Sequence, residues 1–301
     1  MRSDAPDWEL MRSFLAVLVE GSLSGAARVL GQTQPTIGRH IAELEAALGG
    51  VALFVRSPRG LLPTETAEEL RPHAEAMAAS ALALVRAASG GRDEARGVVR
   101  LTASEMVSAH VLPPLLTRFN QTHPEVAVEL VMSNRTEDLL RRAADIAVRM
   151  VRPAQSALVA RYLGDVALGL HAHPDYLARR GMPDSVEALR KHAIIGYDNE
   201  TPGIRAVLDT GVPLSRDLFS YRTDSDIGQY AAICAGFGIG ACQYGLARRD
   251  GLVPVMPGVV EFDLPVWLVL HEDLKAQRRM RLMFDHLAEG LTEYVAASWR
   301  A

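Results

Sequence analysis

Gln34, Thr36, Arg39 and His40 recur at spacings that a helix would gather on a polar face, opposite an apolar stripe of Ile37, Ile41, Leu44 and Leu48. These side-chain types carry the chemistry of base reading. Glutamine pairs with adenine, arginine with guanine or phosphate, and threonine touches a thymine methyl or donates to phosphate. Such a helix must be started and stopped, and the chain supplies both signals: Thr33 as cap, Pro35 in the first turn where a missing N–H costs nothing, and Gly49-Gly50 at the end. Upstream, Ser24 is placed to cap a short helix from Gly25 to Leu30, in which Ala26 and Ala27 leave room for another helix to cross closely. Gly31 and Gln32 make the turn between the two. A first helix, with Trp8, Met11, Phe14, Leu15 and Leu18 as its buried face, ends near Gly21. Two short helices joined by a tight turn are the layout of a helix-turn-helix, its second helix lying in the major groove. From periodicity alone, an ordinary helical pair with a polar outer face fits equally well.

The next stretch favours the first reading. Residues 51–56 and Leu61-Leu62 read as two short strands around Ser57-Pro58-Arg59-Gly60, a turn sequence with Arg56 and Arg59 at its tip. That is a wing, and its arginines would fix register on backbone phosphate or in the minor groove. The expected DNA contacts are therefore Ser24, Gln32, Thr33, Gln34, Thr36, Arg39, His40, Arg56 and Arg59. Net charge does not oppose this, although the 301 residues sum to -4. Affinity follows local phosphate neutralisation, and between Arg28 and Gly60 four arginines face only Glu43 and Glu45.

Over about sixty residues, the run FLAVLVEGSLSGAARVLGQTQPTIGRHIAELEAALGGVALFVRSPRGLLPTETA resembles the DNA-binding domain of LysR-type transcriptional regulators. The matching positions include Phe14, Ser22, Ala26-Ala27, Gln34-Pro35, Arg39, Leu44-Glu45, Leu48-Gly49, Leu53-Phe54, Arg56 and Thr64. Two positions depart from the family pattern: Gly38, where a serine is usual, and Ala67, where a glycine is usual. The first removes one potential contact from the recognition helix.

After Pro63, Thr64 is placed to cap a long helix to about Ser89, ended by Gly90-Gly91. Leu70, Ala74, Met77, Ala81, Leu84 and Ala88 follow at spacings of three and four, a heptad seam that predicts a paired helix. Packing on its own domain is the alternative. The resemblance implies pairing through this helix, hence a homodimer or homotetramer whose two readers meet an interrupted palindrome on double-stranded DNA. RNA polymerase is a further expected partner.

From Gly97 onward, strands alternate with helices, which argues for parallel α/β layers. Strands are expected at residues 98–103, 126–131, 146–149, 166–170, 194–197, 218–222 and 266–270, and the longer helices at 111–121, 137–143, 227–235 and 274–297. This order resembles the effector domain of LysR-type proteins, a relative of periplasmic binding proteins in which two lobes close over a ligand and two crossover strands form the hinge. The expected organisation is a winged helix-turn-helix at 1–63, a linker helix at 64–90 and an effector domain at 91–301. The last divides into lobe I (97–164 and 268–301) and lobe II (165–267). Ligands in α/β sheets sit beyond the carboxyl ends of strands, near helix N-termini. That selects Thr102 and Ser104, Ser133 and Asn134, and Thr223 and Asp224 as effector contacts, or else as plain helix caps. The family places hydroxyls where Ser104 and Ser133 stand. Arg149, Arg205 and Arg222 could add positive charge, and a small carboxylate is the leading effector, with a neutral or aromatic ligand as the alternative.

Other chemistries fit poorly. Gly236 to Gly240 carries a G-x-G-x-G spacing but follows a helix and precedes a strand, the reverse of a phosphate loop. His171 and His173 share a strand face without a third ligand nearby, so no metal or other cofactor is expected. Cys234 and Cys242, the two cysteines, exclude a disulfide framework and read as small buried side chains or as a redox pair. With no catalytic motif, no apolar run near the roughly 20 residues of a membrane span, and an acidic N-terminal stretch unlike a signal peptide, the chain is expected to be a cytoplasmic non-enzyme.

Overall fold

The computed structural model describes residues 7–58, 60–88, 94–134, 144–153, 158–199 and 216–299. They form two compact units, one running through Val85 and the other beginning at Arg86.

In the first unit, α1 (Trp8–Glu20), α2 (Leu23–Leu30) and α3 (Gln34–Ala47) are followed by a hairpin of β1 (Phe54–Ser57) and β2 (Gly60–Pro63) and by α4 (Glu65–Ala88). Each short helix is closed by chemistry that the chain carries locally. Gly21 and Gly31 adopt left-handed φ values of 63° and 65° as C-caps, and Thr33 accepts from the Thr36 N–H to start α3. Helix α2 begins two residues earlier than the sequence suggests. Ser22 is its cap, accepting from the Gly25 N–H, so that Leu23 enters the helix and packs on the core, and Ser24 lies exposed within the first turn. The core gathers Phe14, Val17, Ala26, Ala27, Ile37, Ile41, Leu44 and Leu53. On α1 the innermost line is Leu10, Ser13, Phe14 and Val17; the expected Met11, Leu15 and Leu18 flank it, half-buried.

The hairpin is antiparallel, with Phe54 opposite Pro63 and Ser57 opposite Gly60. It is seated on the end of α1: the Leu61 N–H donates to the Gly21 carbonyl at 2.7 Å, and a Cβ on Gly60 would come within 2.5 Å of that oxygen. Thr64 ties the hairpin to α4. Its hydroxyl donates to the Ala52 carbonyl and accepts from the Ala67 N–H. The first turns of α4 then lay Ala67, Leu70 and Ala74 on the core of the same unit.

The second unit is built on a nine-stranded sheet. It comprises β3 (Gly97–Ala103), β4 (Val126–Met132), β5 (Ile146–Arg149), β6 (Leu158–Ala172), β7 (Ile194–Gly196), β8 (Phe219–Arg222), β9 (Ile239–Gln243), β10 (Val253–Pro254) and β11 (Glu261–His271). The order is β4-β3-β5-β11-β6-β9-β7-β8, with β10 beside β6. The expected parallel layers form the two ends, where β3 pairs with β4 and β5, and β7 with β8 and β9. Between them the long strands β6 and β11 run antiparallel over eleven residue pairs and join the two ends into one sheet. The expected strands at 166–170 and 266–270 are segments of these two.

Helix α5 (Leu112–Thr122) is preceded by a π-helical turn, Val107–Val111. Pro113 and Pro114 open α5 without N–H groups, and the Leu112 N–H reaches back five residues to the Val107 carbonyl. Short helices α6 (Pro174–Arg180) and α7 (Val186–Leu189) precede α8 (Asp226–Cys234) and α9 (Tyr244–Arg249). The final helix, α10 (Arg278–Ala297), buries Met280, Met283, Leu287, Leu291 and Val295 at helical spacing against α5 and the sheet. It starts four residues later than expected because a 3-10 turn at Glu272–Leu274 comes first. The expected helix at 137–143 lies outside the described residues.

Candidate functional site

The first unit presents one coherent polar surface. Gln34 and Arg39 on α3 are exposed, and Thr36 is half-buried with its hydroxyl 2.8 Å from that of Thr33. The Arg39 side chain keeps 67% of its surface and stands 3.6 Å from Glu43, a loose contact that leaves the guanidinium able to turn toward a phosphate or guanine. Arg56 is exposed on β1, and Arg59 lies outside the described residues.

One expected contact and one expected cap are corrected. His40 is buried, its Nδ1 2.7 Å from the Ser13 hydroxyl of α1. The reason is in the spacing: Ile37, His40, Ile41 and Leu44 form an i, i+3, i+4, i+7 line, so the imidazole belongs to the core face, where Ser13 satisfies it. Ser24 does not cap α2, as described above. Gln32 is half-buried in the turn, with its Oε1 buried and accepting no hydrogen bond among the described residues. Gly38 leaves space: a Cβ there would meet only the Leu23 Cδ1, at 3.6 Å.

The expected seam on α4 divides. Ala74, 2% exposed, is covered by its own unit, and Leu70 packs half-buried on the same core. Beyond them Met77 and Leu84 are exposed, the latter at 72%, as are Leu82 and Val85, and Ala81 is half-buried.

In the second unit a cavity of about 250 Å³ opens beyond the carboxyl ends of β3, β4 and β5. Ser104, Ser133, Asn134 and Arg149 line one side; Tyr197, Asp226, Gln229 and Tyr230 line the other; Leu168, Phe262, Leu264, Met106 and Met150 supply apolar walls. Arg149 is 5% exposed. Its guanidinium donates to the Thr102 hydroxyl at 3.0 Å and to the Ser133 carbonyl at 3.2 Å. Asp226 accepts from Tyr197 at 3.0 Å and from the Asn134 amide at 3.0 Å. Burial pushes the Asp226 carboxyl up, and burial beside that carboxyl pushes the Tyr197 phenol up.

Ser104, Ser133 and Asn134 thus reach the cavity as expected, whereas three other residues do not. Thr102 is buried behind Arg149 and acts through it. Thr223 turns its hydroxyl to the Ser225 N–H, and Asp224 accepts from the backbone of Asp198 and Asn199, which leaves Asp226 as the acid in the cavity. Arg222 bonds the Phe219 carbonyl away from the cavity, and Arg205 lies outside the described residues. Sequence reading missed Tyr197, Asp226, Gln229 and Gln243; Asp226 and Gln229 are an i, i+3 pair on α8, whereas Tyr197 follows β7 and Gln243 ends β9, and these two share no local spacing with them.

Cys242 lines the cavity, and burial pushes both its thiol and that of Cys234 up, away from the thiolate that redox sensing needs. His171 is buried, with Nδ1 2.9 Å from the Gly169 carbonyl, while His173 caps α6. Among the described residues, no group of three His, Cys, Asp or Glu could hold a metal. No described helix is long and apolar enough to cross a membrane.

Comparison with known proteins bears on both units. Residues 8–68 match the profile of the bacterial regulatory helix-turn-helix protein, LysR family, and residues 92–292 match the LysR substrate binding domain. The transcriptional regulator CrgA of Neisseria meningitidis serogroup C is 30% identical over 293 residues, covering 94% of this chain and 96% of CrgA. A solved CrgA structure from Neisseria meningitidis aligns with TM-score 0.58 at 28% identity, over 94% of this chain and 98% of that one. Full-length CbnR, solved with its target DNA, shares the fold with TM-score 0.64 at 17% identity, over 94% of this chain and 99% of that one. The chain belongs to the LysR family, DNA-binding transcriptional regulators that couple a helix-turn-helix domain to an effector-binding domain.

Proposed function

We propose that the chain binds an interrupted palindromic operator as a dimer or tetramer, through α3 and the hairpin, and that a small carboxylate in the cavity of the second unit modulates this binding. The observation that carries the DNA reading is the two-sidedness of α3. Ile37, His40, Ile41 and Leu44 fix one face in the core, and Gln34, Thr36 and Arg39 stand outward from the same rigid rod. Arg56, exposed on β1, fixes register on phosphate together with Arg59. Met77, Ala81 and Leu84, joined by Leu82 and Val85, form the pairing surface of α4. In this reading residues 1–63 bind DNA, 64–90 pair, and 91–301 sense the effector in lobes 97–164 with 268–301 and 165–267. The effector contacts are Ser104, Ser133 and Asn134, with Arg149 as the anion partner held by Thr102. The regulator works in the cytoplasm and contacts RNA polymerase. The effector acts through its differential affinity for two assemblies, about 1–3 kcal/mol in such systems.

Footprinting on the region upstream of the protein's own gene tests this reading. Two protected segments separated by whole helical turns are expected, weakened by Arg39→Ala and by added salt. Absence of protection at moderate salt, together with an Arg39→Ala variant that behaves as wild type, rejects it.

A further inference from the structure

Beside the cavity, a ring of hydrogen bonds joins the two ends of the sheet, and Asn134, Tyr197 and Asp226 of that ring line the cavity itself. Glu105, just after β3, lies 120 positions from Ser225 in sequence, yet its Oε2 accepts from the Ser225 hydroxyl at 2.9 Å. The same oxygen stands 3.5 Å from the Ile227 N–H in the first turn of α8. Asn134, after β4, accepts from the Glu105 N–H at 3.0 Å and donates to Asp226 at 3.0 Å. Tyr197, after β7, donates to the other oxygen of Asp226. Glu105 and Asn134 come from the β3-β4-β5 end, and Ser225, Asp226 and Tyr197 from the β7-β8-β9 end. The ring therefore closes across the cavity rather than along either side.

We propose that Glu105 is an internal carboxylate that clasps the two ends of the sheet over the cavity, so that opening the cavity requires its release from Ser225 and α8. The physical grounds are charge and direction. Ser225 is the N-cap of α8, and free N–H groups at a helix start favour an anion, which Glu105 supplies from the opposite end of the sheet. Hydrogen bonds to an ionised acceptor are about twice as strong as neutral ones. Glu105 makes two such contacts across the gap, to the Ser225 hydroxyl and the Ile227 N–H, where Asn134 makes one, to Asp226. Its regulatory meaning rests on the reading of the cavity as the effector site: a ligand that enters or leaves must pay for, or benefit from, this release.

Amide hydrogen exchange on the full-length protein, read at residues 225–229, tests the clasp with acetate as probe and chloride at equal ionic strength as control. In the wild type, acetate leaves exchange unchanged, because the tethered carboxylate already holds the position. Glu105→Gly is expected to exchange about tenfold faster there, and millimolar acetate to restore most of the protection. Glu105→Gln, which keeps the side-chain volume and one acceptor oxygen, is expected to fall between the two with little acetate response, and it serves should the glycine variant fold poorly. Wild-type exchange in both variants overturns the clasp. Faster exchange that acetate does not restore makes Glu105 a packing contact and overturns it as well. Rescue that disappears in Glu105→Gly/Arg149→Met places acetate at Arg149, which overturns the clasp while leaving the effector reading intact. Rescue that persists in the double variant supports the clasp whatever the fate of that reading.

Discussion

The two arginines of the proposed DNA and effector sites have opposite settings. Arg39 projects from α3 with 67% of its side chain in solvent and only a loose contact to Glu43, whereas Arg149 is 5% exposed and held by Thr102 and Ser133 at the end of β5. A cation that meets phosphate on a large, hydrated partner gains from staying mobile until contact, since most of its effect is local neutralisation. One that must hold a small anion inside a cavity has to be oriented in advance, because a small ligand offers few contacts to offset ordering a side chain. The surface site is thus cheap to build and weakly specified by the fold. The cavity site is costly, and several elements share in building it.

The comparison can be broken by exchanging what each site loses. Arg39→Ala is expected to weaken operator binding by about 1–3 kcal/mol while leaving stability within about 0.5 kcal/mol, measured by fluorescence anisotropy and urea denaturation. A stability loss comparable to the binding loss would show that Arg39 is part of the scaffold. Ser13→Ala probes the hidden side of the same helix: removing the hydroxyl leaves the buried His40 Nδ1 without its bond and is expected to cost about 1–3 kcal/mol of stability. Arg149→Met should abolish the effector response in an operator-binding assay and, unlike Arg39→Ala, also cost about 1–3 kcal/mol of stability, because the buried Thr102 hydroxyl and the Ser133 carbonyl lose this donor. An effector response that survives the substitution would show that Arg149 is structural only.

The second unit also carries a pH signature. Burial holds the His171 imidazole below its ordinary value of 6.5. Below about pH 6.5 the unfolded chain binds a proton that the native histidine refuses. Stability present above that pH is therefore lost as pH falls toward the folded-state value, by up to about 1.4 kcal/mol per pH unit. Urea midpoints on either side of pH 6.5 measure the slope, and His171→Gln is expected to reduce it. The smallest effect expected is at Gly38, where Gly38→Ser adds a side chain in open space within a helix and should raise stability by roughly 0.5 kcal/mol.

How far each region can be read from sequence follows from the same contrast. Gly31, Thr33 and Pro35 act on neighbours within a few positions, so the turn and the start of α3 are written where they are used. His40 was legible as well: its spacing puts it on the stripe with Ile37, Ile41 and Leu44, but its polar type draws the eye to the outer face. Its bond to Ser13, 27 positions away, is what the linear pattern lacks. In the cavity nearly everything is of this second kind. Thr102 and Arg149 meet across 47 positions, and Asn134 and Asp226 across 92. Residue type placed Ser104, Ser133 and Asn134 there, because strand ends are local features. The choice of Asp226 over Asp224 was made by the turn at 223–226, where the first acid is spent on the backbone of Asp198 and Asn199.

The seating of α4 on the first unit has a mechanical consequence. Thr64 pins its start to the hairpin, and Ala67, Leu70 and Ala74 pin its next turns to the core that carries α3. The helix is therefore fixed over its first ten residues to the core that carries α3, and a shaft of roughly 16 Å extends from Ala74 to Val85. A twist applied at the far end of that shaft turns the hairpin and α3 together, as a crank turns its wheel. In the reading proposed above, the direction in which α3 faces DNA follows the direction of this shaft.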